Sequence, residues 1–229
     1  MTHYLRFAPL VLVAATVALS TPLAAVAQDY KVEKLEQTAP ADEISAEIAA
    51  LLQPTGMKFV KGESRTICEI WLCKEWPIKG EKAMGEVIYP LQPGQVVGVA
   101  RYPRKGSDLR DQDIPAGSYV LRYGHQPVDG AHVGTSPTRD FLLLLPAAKD
   151  KLAAILDYKT LTTISKETSG ATHPAILSLQ RLSDSTKPLE VRHNEEKDWW
   201  IVRFMGKTVR DGKATDQAME LVVVGVATE

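Results

Sequence analysis

The sequence predicts a mainly β protein, an antiparallel β-sandwich of jelly-roll or Greek-key type, and three observations carry that prediction. Short runs rich in β-branched and aromatic residues recur from residue 57 onward. Clusters of glycine, proline and aspartate break them at 62, 77–80, 90–94 and 103–115. Long amphipathic repeats do not alternate with these runs, which argues against the strand and crossover-helix alternation of parallel sheets.

Taken in order, residues 1–27 read as a signal peptide. Arg6 supplies a positive n-region, 7–19 form an apolar core, and Ala25-Val26-Ala27 offers the small residues that a signal peptidase needs. The apolar core is shorter than the roughly 17–25 residues of a spanning helix. Cleavage after Ala27 is expected, which starts the mature chain at Gln28 and exports it to the periplasm or the cell exterior. No later run is long and apolar enough for a membrane span. Processing removes one of the 27 Lys and Arg residues and none of the 28 Asp and Glu residues. The near-neutral balance that remains argues against nucleic acid as a partner.

Residues 28–41 are polar and read as an extended N-terminal segment. Residues 42–229 read as a single domain, since no internal repeat, low-complexity run or Gly/Ser linker divides them. Asp42 is the expected cap of a short N-terminal helix whose Ile44, Ile48, Leu51 and Leu52 share one side, with Pro54 and Gly56 ending it. Strands are predicted over 57–60, 65–73, 84–89, 95–102, 117–124 and 139–145. A helical crossover follows near 149–170: Leu152, Ile155 and Leu156 stand at helical spacing, and Gly170 closes the segment. Further strands are predicted over 175–182, 189–193 and 199–204, the last two joined as a hairpin. Asp211-Gly212 marks a tight turn before a closing interior strand over 219–227.

The stretch around which these elements are organised is 114–146. Pro115 and Gly117 set a turn, Tyr119, Leu121 and Tyr123 alternate with Val120 and Arg122, and Phe141 to Leu145 are apolar without interruption. The loop between, 125–137, is long enough to be functional. Ile114-Pro115-Ala116-Gly117-Ser118-Tyr119, the pattern His132-x-Gly134-x-Ser136-Pro137-x-Arg139-Asp140-Phe141, and His173-Pro174 together resemble a group of uncharacterised secreted bacterial β-proteins. The resemblance implies a fold and an export route; it implies no activity and transfers no catalytic residue.

Four histidines remain after processing. His125 and His132 share the central loop with Asp129, and His173 sits in a turn before Pro174, so a divalent metal held by loops at one end of the sandwich is one reading. The spacing matches no metal motif, and the plain alternative is that these residues bond to loop backbone. Arg139 and Asp140 at the base of the loop suit either a polar ligand or the anchoring of the loop itself. Asp108, Asp111 and Asp113 suggest calcium, but Arg110 among them is a ready counter-ion and the loop reads better as a solvated one.

Catalysis finds little support. Ser136 lies outside any Gly-x-Ser-x-Gly elbow, and Cys68 and Cys73 lie in an apolar strand without a neighbouring base. Five positions along a strand separate the two thiols by roughly 16 Å and place them on opposite faces, beyond the ~7 Å between Cα atoms that a disulfide allows, so they are expected to be unpaired. Trp71, Trp76, Trp199 and Trp200 are core candidates; adjacent Trp199 and Trp200 must point to opposite faces, so one of them lies at a sheet edge or is a recognition residue suited to a glycan. The sequence thus favours a non-catalytic binding or structural module with no cofactor, whose partner is a polar ligand, a glycan or a protein. A metal-dependent enzyme using the histidines and a carbohydrate-binding module are the alternatives.

Overall fold

The computed structural model describes residue 1 and residues 30–128 and 136–227; the expected signal peptide, Asp129 and His132 lie outside them. The described chain is mainly β, 45% strand and 9% helical. In order, its elements are β1 (Tyr30–Leu35), α1 (Ala46–Leu51), β2 (Gly56–Lys61), β3 (Arg65–Leu72), β4 (Trp76–Pro77), β5 (Val96–Tyr102), β6 (Gly106–Ser107), β7 (Asp113–Ile114), β8 (Gly117–His125), β9 (Asp140–Pro146), α2 (Tyr158–Ser169), β10 (Ile176–Gln180), β11 (Glu190–Asn194), β12 (Trp199–Arg210) and β13 (Lys213–Val224). No described helix is long and apolar enough to cross a membrane.

The strands do not divide into the two separate sheets of a sandwich. They form one curled path, β1-β2-β3-β5-β8-β9-β10-β13-β12-β11, with β4 paired to β12 in parallel and β6-β7 as a small ribbon apart. Strand β10 makes the corner. Its Ile176, Leu177 and Ser178 pair with β9, whereas Leu179 and Gln180 pair with β13, so one short strand passes the chain from one limb to the other. In the order β10-β13-β12-β11 the consecutive strands β11, β12 and β13 lie side by side, with β13 next to β10. Both limbs face a common core that includes Phe59, Trp76, Tyr123, Leu144, Phe204 and Leu221.

Four local expectations differ from the structure for identifiable reasons. Residues 30–35, read as part of an extended segment, are an edge strand in full antiparallel register with β2. The cap of α1 is Ser45 and not Asp42: its hydroxyl accepts the Ile48 N–H at 3.1 Å, the N3 bond that a cap makes. Residues 84–89 hold only one bridge, Met84 to Val87, because the Ile88 and Tyr89 N–H groups donate to the Asp140 carboxylate at 2.9 and 3.1 Å.

The fourth difference sets the shape of the site. Residues 149–157 are not helical despite their periodicity. From β8, the fully buried Arg122 donates through Nε and Nη2 to both Asp150 oxygens, at 2.6 and 2.8 Å, and through Nη2 and Nη1 to the carbonyls of Leu152, Ala154 and Gly94. All five guanidinium N–H groups are thereby used, two of them on the Leu152 and Ala154 carbonyls that a helix would have turned to its own amides. The chain then enters α2 with Asp157 as N-cap, accepting the Thr160 N–H at 3.0 Å, and leaves it at Gly170 in the left-handed region, φ 64°.

Candidate functional site

Helix α2 lies over β9, where Thr168 Oγ1 donates to the Leu144 carbonyl at 2.7 Å and Ser165 Oγ to the Ala175 carbonyl at 3.1 Å. Between the helix, the end of β8 and the start of β10 is a cavity of about 80 Å³. Phe141, Leu143, Leu161, Ile176, Pro127 and Pro174 make its apolar walls, and Arg110, Thr162, His173 and Tyr158 also line it, as does the end of β8 at His125, whose side chain shares the other face of the strand with Tyr123. Gly124 keeps it compact: a Cβ there would meet Leu143 Cδ1 at 2.6 Å. The volume is about half the roughly 150 Å³ of an apolar cavity that holds a benzene ring. It has room for the end of a small molecule but not for all of one, and the exposed Tyr158 stands at its side.

Under the cavity runs a buried chain of polar groups. Asp140, fully buried on β9, sits directly opposite His125 of β8 in the strand register. Its carboxylate accepts the two backbone N–H groups of 88 and 89 and the hydroxyl of Tyr123. Burial first, and the charge of Asp140 second, push the Tyr123 phenol above its usual range, so it keeps its proton. His125 Nε2 lies 3.0 Å from the same hydroxyl oxygen, its ring edge-on to the tyrosine at 83°. Half-burial lowers the His125 pKa, with Asp140 opposing and Arg139 reinforcing the shift, so the imidazole favours its neutral form.

The residues singled out from sequence thus separate into groups. His125 and His173 share the cavity wall. Arg139 anchors the loop, its Nε and Nη2 donating to the Gln126 carbonyl at 3.0 and 2.8 Å and its backbone N–H to the Glu86 carbonyl, while Asp140 ties down residues 88–89. Among the described residues no group of three or more His, Cys, Asp or Glu side chains is placed to hold a metal. Asp108 accepts the N–H groups of Arg110, Gln112 and Ile176 and the Gln112 amide, and Asp113 pairs with Lys105 at 2.7 Å, so this acidic loop is occupied by its own backbone and neighbours.

None of the four tryptophans is exposed; Trp200, the least buried, lies between Tyr30 and His193. Cys68 and Cys73 are free and buried, and burial raises both thiols to about 12, outside any nucleophilic role near neutral pH. Sequence reasoning did not single out Tyr123, Tyr158, Leu161 or Thr162 for the site. Tyr123 had a readable signal, since a Tyr-x-His pair in a strand puts both rings on one face. Compared with known proteins, the chain matches no family model, no curated protein and no solved structure.

Proposed function

We propose that this chain is an exported, non-catalytic binding module of the periplasm or cell exterior, and that its ligand enters the cavity between β8, β10 and α2. One observation carries the reading: an apolar-walled cavity gathers the end of β8, the turn at His173 and helix α2, at a place roofed by that helix and floored by buried strands. In this reading the two limbs serve as the layers of a sandwich joined along one side, with the binding loops at one end. The walls favour an apolar group, and His173 and Thr162 orient it.

The test is an NMR titration of the isotopically labelled mature chain with a panel of small apolar and aromatic fragments. Amide shifts are expected to concentrate at Gly124, His125, Phe141 and Thr162, and to vanish when Thr162→Trp fills the cavity. Shifts scattered over the surface and unaffected by that substitution would defeat the proposal.

A second reading, a metal-dependent enzyme, draws on one fact, that two of the three candidate histidines line one cavity. Elemental analysis of the untagged protein decides it: a stoichiometric transition metal lost in His173→Ala supports the enzyme, and metal-free protein removes it.

A further inference from the structure

We infer that the cavity under α2 takes an apolar group that carries a carboxylate, and that Arg110 is the residue that binds the charge. The inference rests on the cavity being a ligand site and adds the chemistry of the ligand's head.

Arg110 reaches the cavity on the loop between β6 and β7. Asp108 accepts the Ile176 N–H at 3.0 Å, the Leu109 N–H donates to the Ile176 carbonyl at 3.1 Å, and Gln112 Nε2 donates to the Pro174 carbonyl at 3.1 Å. The loop is thus fastened along 174–176, the stretch that contributes Pro174 and Ile176 to the cavity wall. Leu109 is buried against Phe141 and its neighbours, and Arg110, next in the chain, is half-buried in the cavity lining. The base of the arginine is therefore fixed, and its methylene stem gives the guanidinium reach over the opening.

Arg110 differs from the other arginines around it in what it bonds to. Arg122 and Arg139 spend their guanidinium groups on carbonyls and, for Arg122, on Asp150. Among the described residues the Arg110 side chain has no hydrogen bond, ion pair or ring contact; only its backbone N–H is engaged, by Asp108. Asp108 itself is filled by N–H groups from Arg110, Gln112 and Ile176. No Asp or Glu lines the cavity, and Asp157, the acid that caps α2 beside Tyr158, is bonded to the Thr160 N–H and hydroxyl. An apolar cavity is thereby bordered by a cation with its donors open and no acid to compete for them. A guanidinium fork matches a carboxylate in both shape and charge, and the same charge repels an ammonium on the same frame.

The experiment compares 3-phenylpropionate, 3-phenylpropan-1-ol and 3-phenylpropylamine by NMR titration of the full mature chain at neutral pH. The acid and the alcohol are expected to shift the same amides, those of Gly124, Phe141 and Thr162. The acid should bind roughly three- to tenfold more tightly than the alcohol, a charge-assisted bond discounted for the solvent that reaches a half-buried arginine. The amine should bind more weakly than either. Raising the salt to about 0.5 M should shrink the acid's advantage and leave the alcohol's affinity in place. Arg110→Gln should bring the acid down to the affinity of the alcohol, and Arg110→Lys should retain part of the preference, since an ammonium keeps the charge and loses the fork. Where either variant loses its native amide spectrum, the comparison of the three probes on the parent chain carries the test.

Binding of the alcohol or the amine as tight as that of the acid, or a preference that survives Arg110→Gln, would overturn the inference while leaving the cavity as a ligand site. Failure of all three probes to bind at millimolar concentration would overturn the cavity reading and the inference with it.

Discussion

Arg122 shows how a single side chain decides local structure far from it. It is wholly buried, and its charge is matched by Asp150 and by three carbonyls on two separate segments. A buried ion pair adds little net stability compared with a well-packed apolar pair, but removing one partner leaves the other uncompensated. Arg122→Ala is therefore expected to cost about 3–5 kcal/mol in urea unfolding. Arg122→Lys should recover little of that loss, because an ammonium has three N–H groups for five acceptors. A lysine variant within about 1 kcal/mol of the parent would show that charge alone, and not the forked geometry, holds residues 150–156.

At the scale of elements, helix α2 separates what was legible in the sequence from what was not. Gly170 was readable as a helix end, since a glycine after a polar helical run favours the left-handed cap. Asp157 was not readable as the start, because Leu152, Ile155 and Leu156 imitate a preceding turn of helix and the residue that prevents it lies on β8. The same cause hid the irregular 84–89 segment, whose N–H groups are claimed by Asp140 some fifty residues on. Local patterning reports propensity; it does not report which distant side chain will compete for the backbone.

The histidines show the same division. His125 and His173 could be named from the sequence, but that both border one cavity depends on α2 and β10 packing together. Because α2 roofs the cavity and is held at its ends by Asp157 and Gly170, Asp157→Ala and Gly170→Ala are each expected to destabilise it by about 1 kcal/mol. Hydrogen exchange should then quicken within Tyr158–Ser169 and leave β8 unchanged. Equal acceleration in β8 would mean that the helix does not open independently of the sheet.

At the scale of the whole molecule, the sequence predicted most of the longer strands and the mainly antiparallel pairing but not the way the limbs join. Whether Ile176–Gln180 lies within one sheet or bridges two limbs depends on partner registers that no local signal encodes. The curled path leaves β1 and β11 as its two ends, and what spans them is aromatic. Tyr30 stacks on Phe59 at 5.1 Å and packs against Trp200 at 4.6 Å, and His193 of β11 lies flat on Trp200 at 4.3 Å. Trp200 stands at the middle of this series, at the bulge where the β12–β13 register shifts. Each aromatic pair is worth about 0.5–1.5 kcal/mol beyond its buried area. Trp200→Ala, which breaks two of these pairs and opens a partly buried site, is therefore expected to cost about 2–4 kcal/mol. The loss should be uneven. Amides of β1 bonded to β2 should lose exchange protection first, because β1 has β2 as its only paired neighbour in the path, whereas β8 and β9, each flanked on both sides, should keep theirs. A uniform fall in protection across β1 and β9 would show instead that the aromatic contacts are part of the global core and that the two ends of the sheet do not separate on their own.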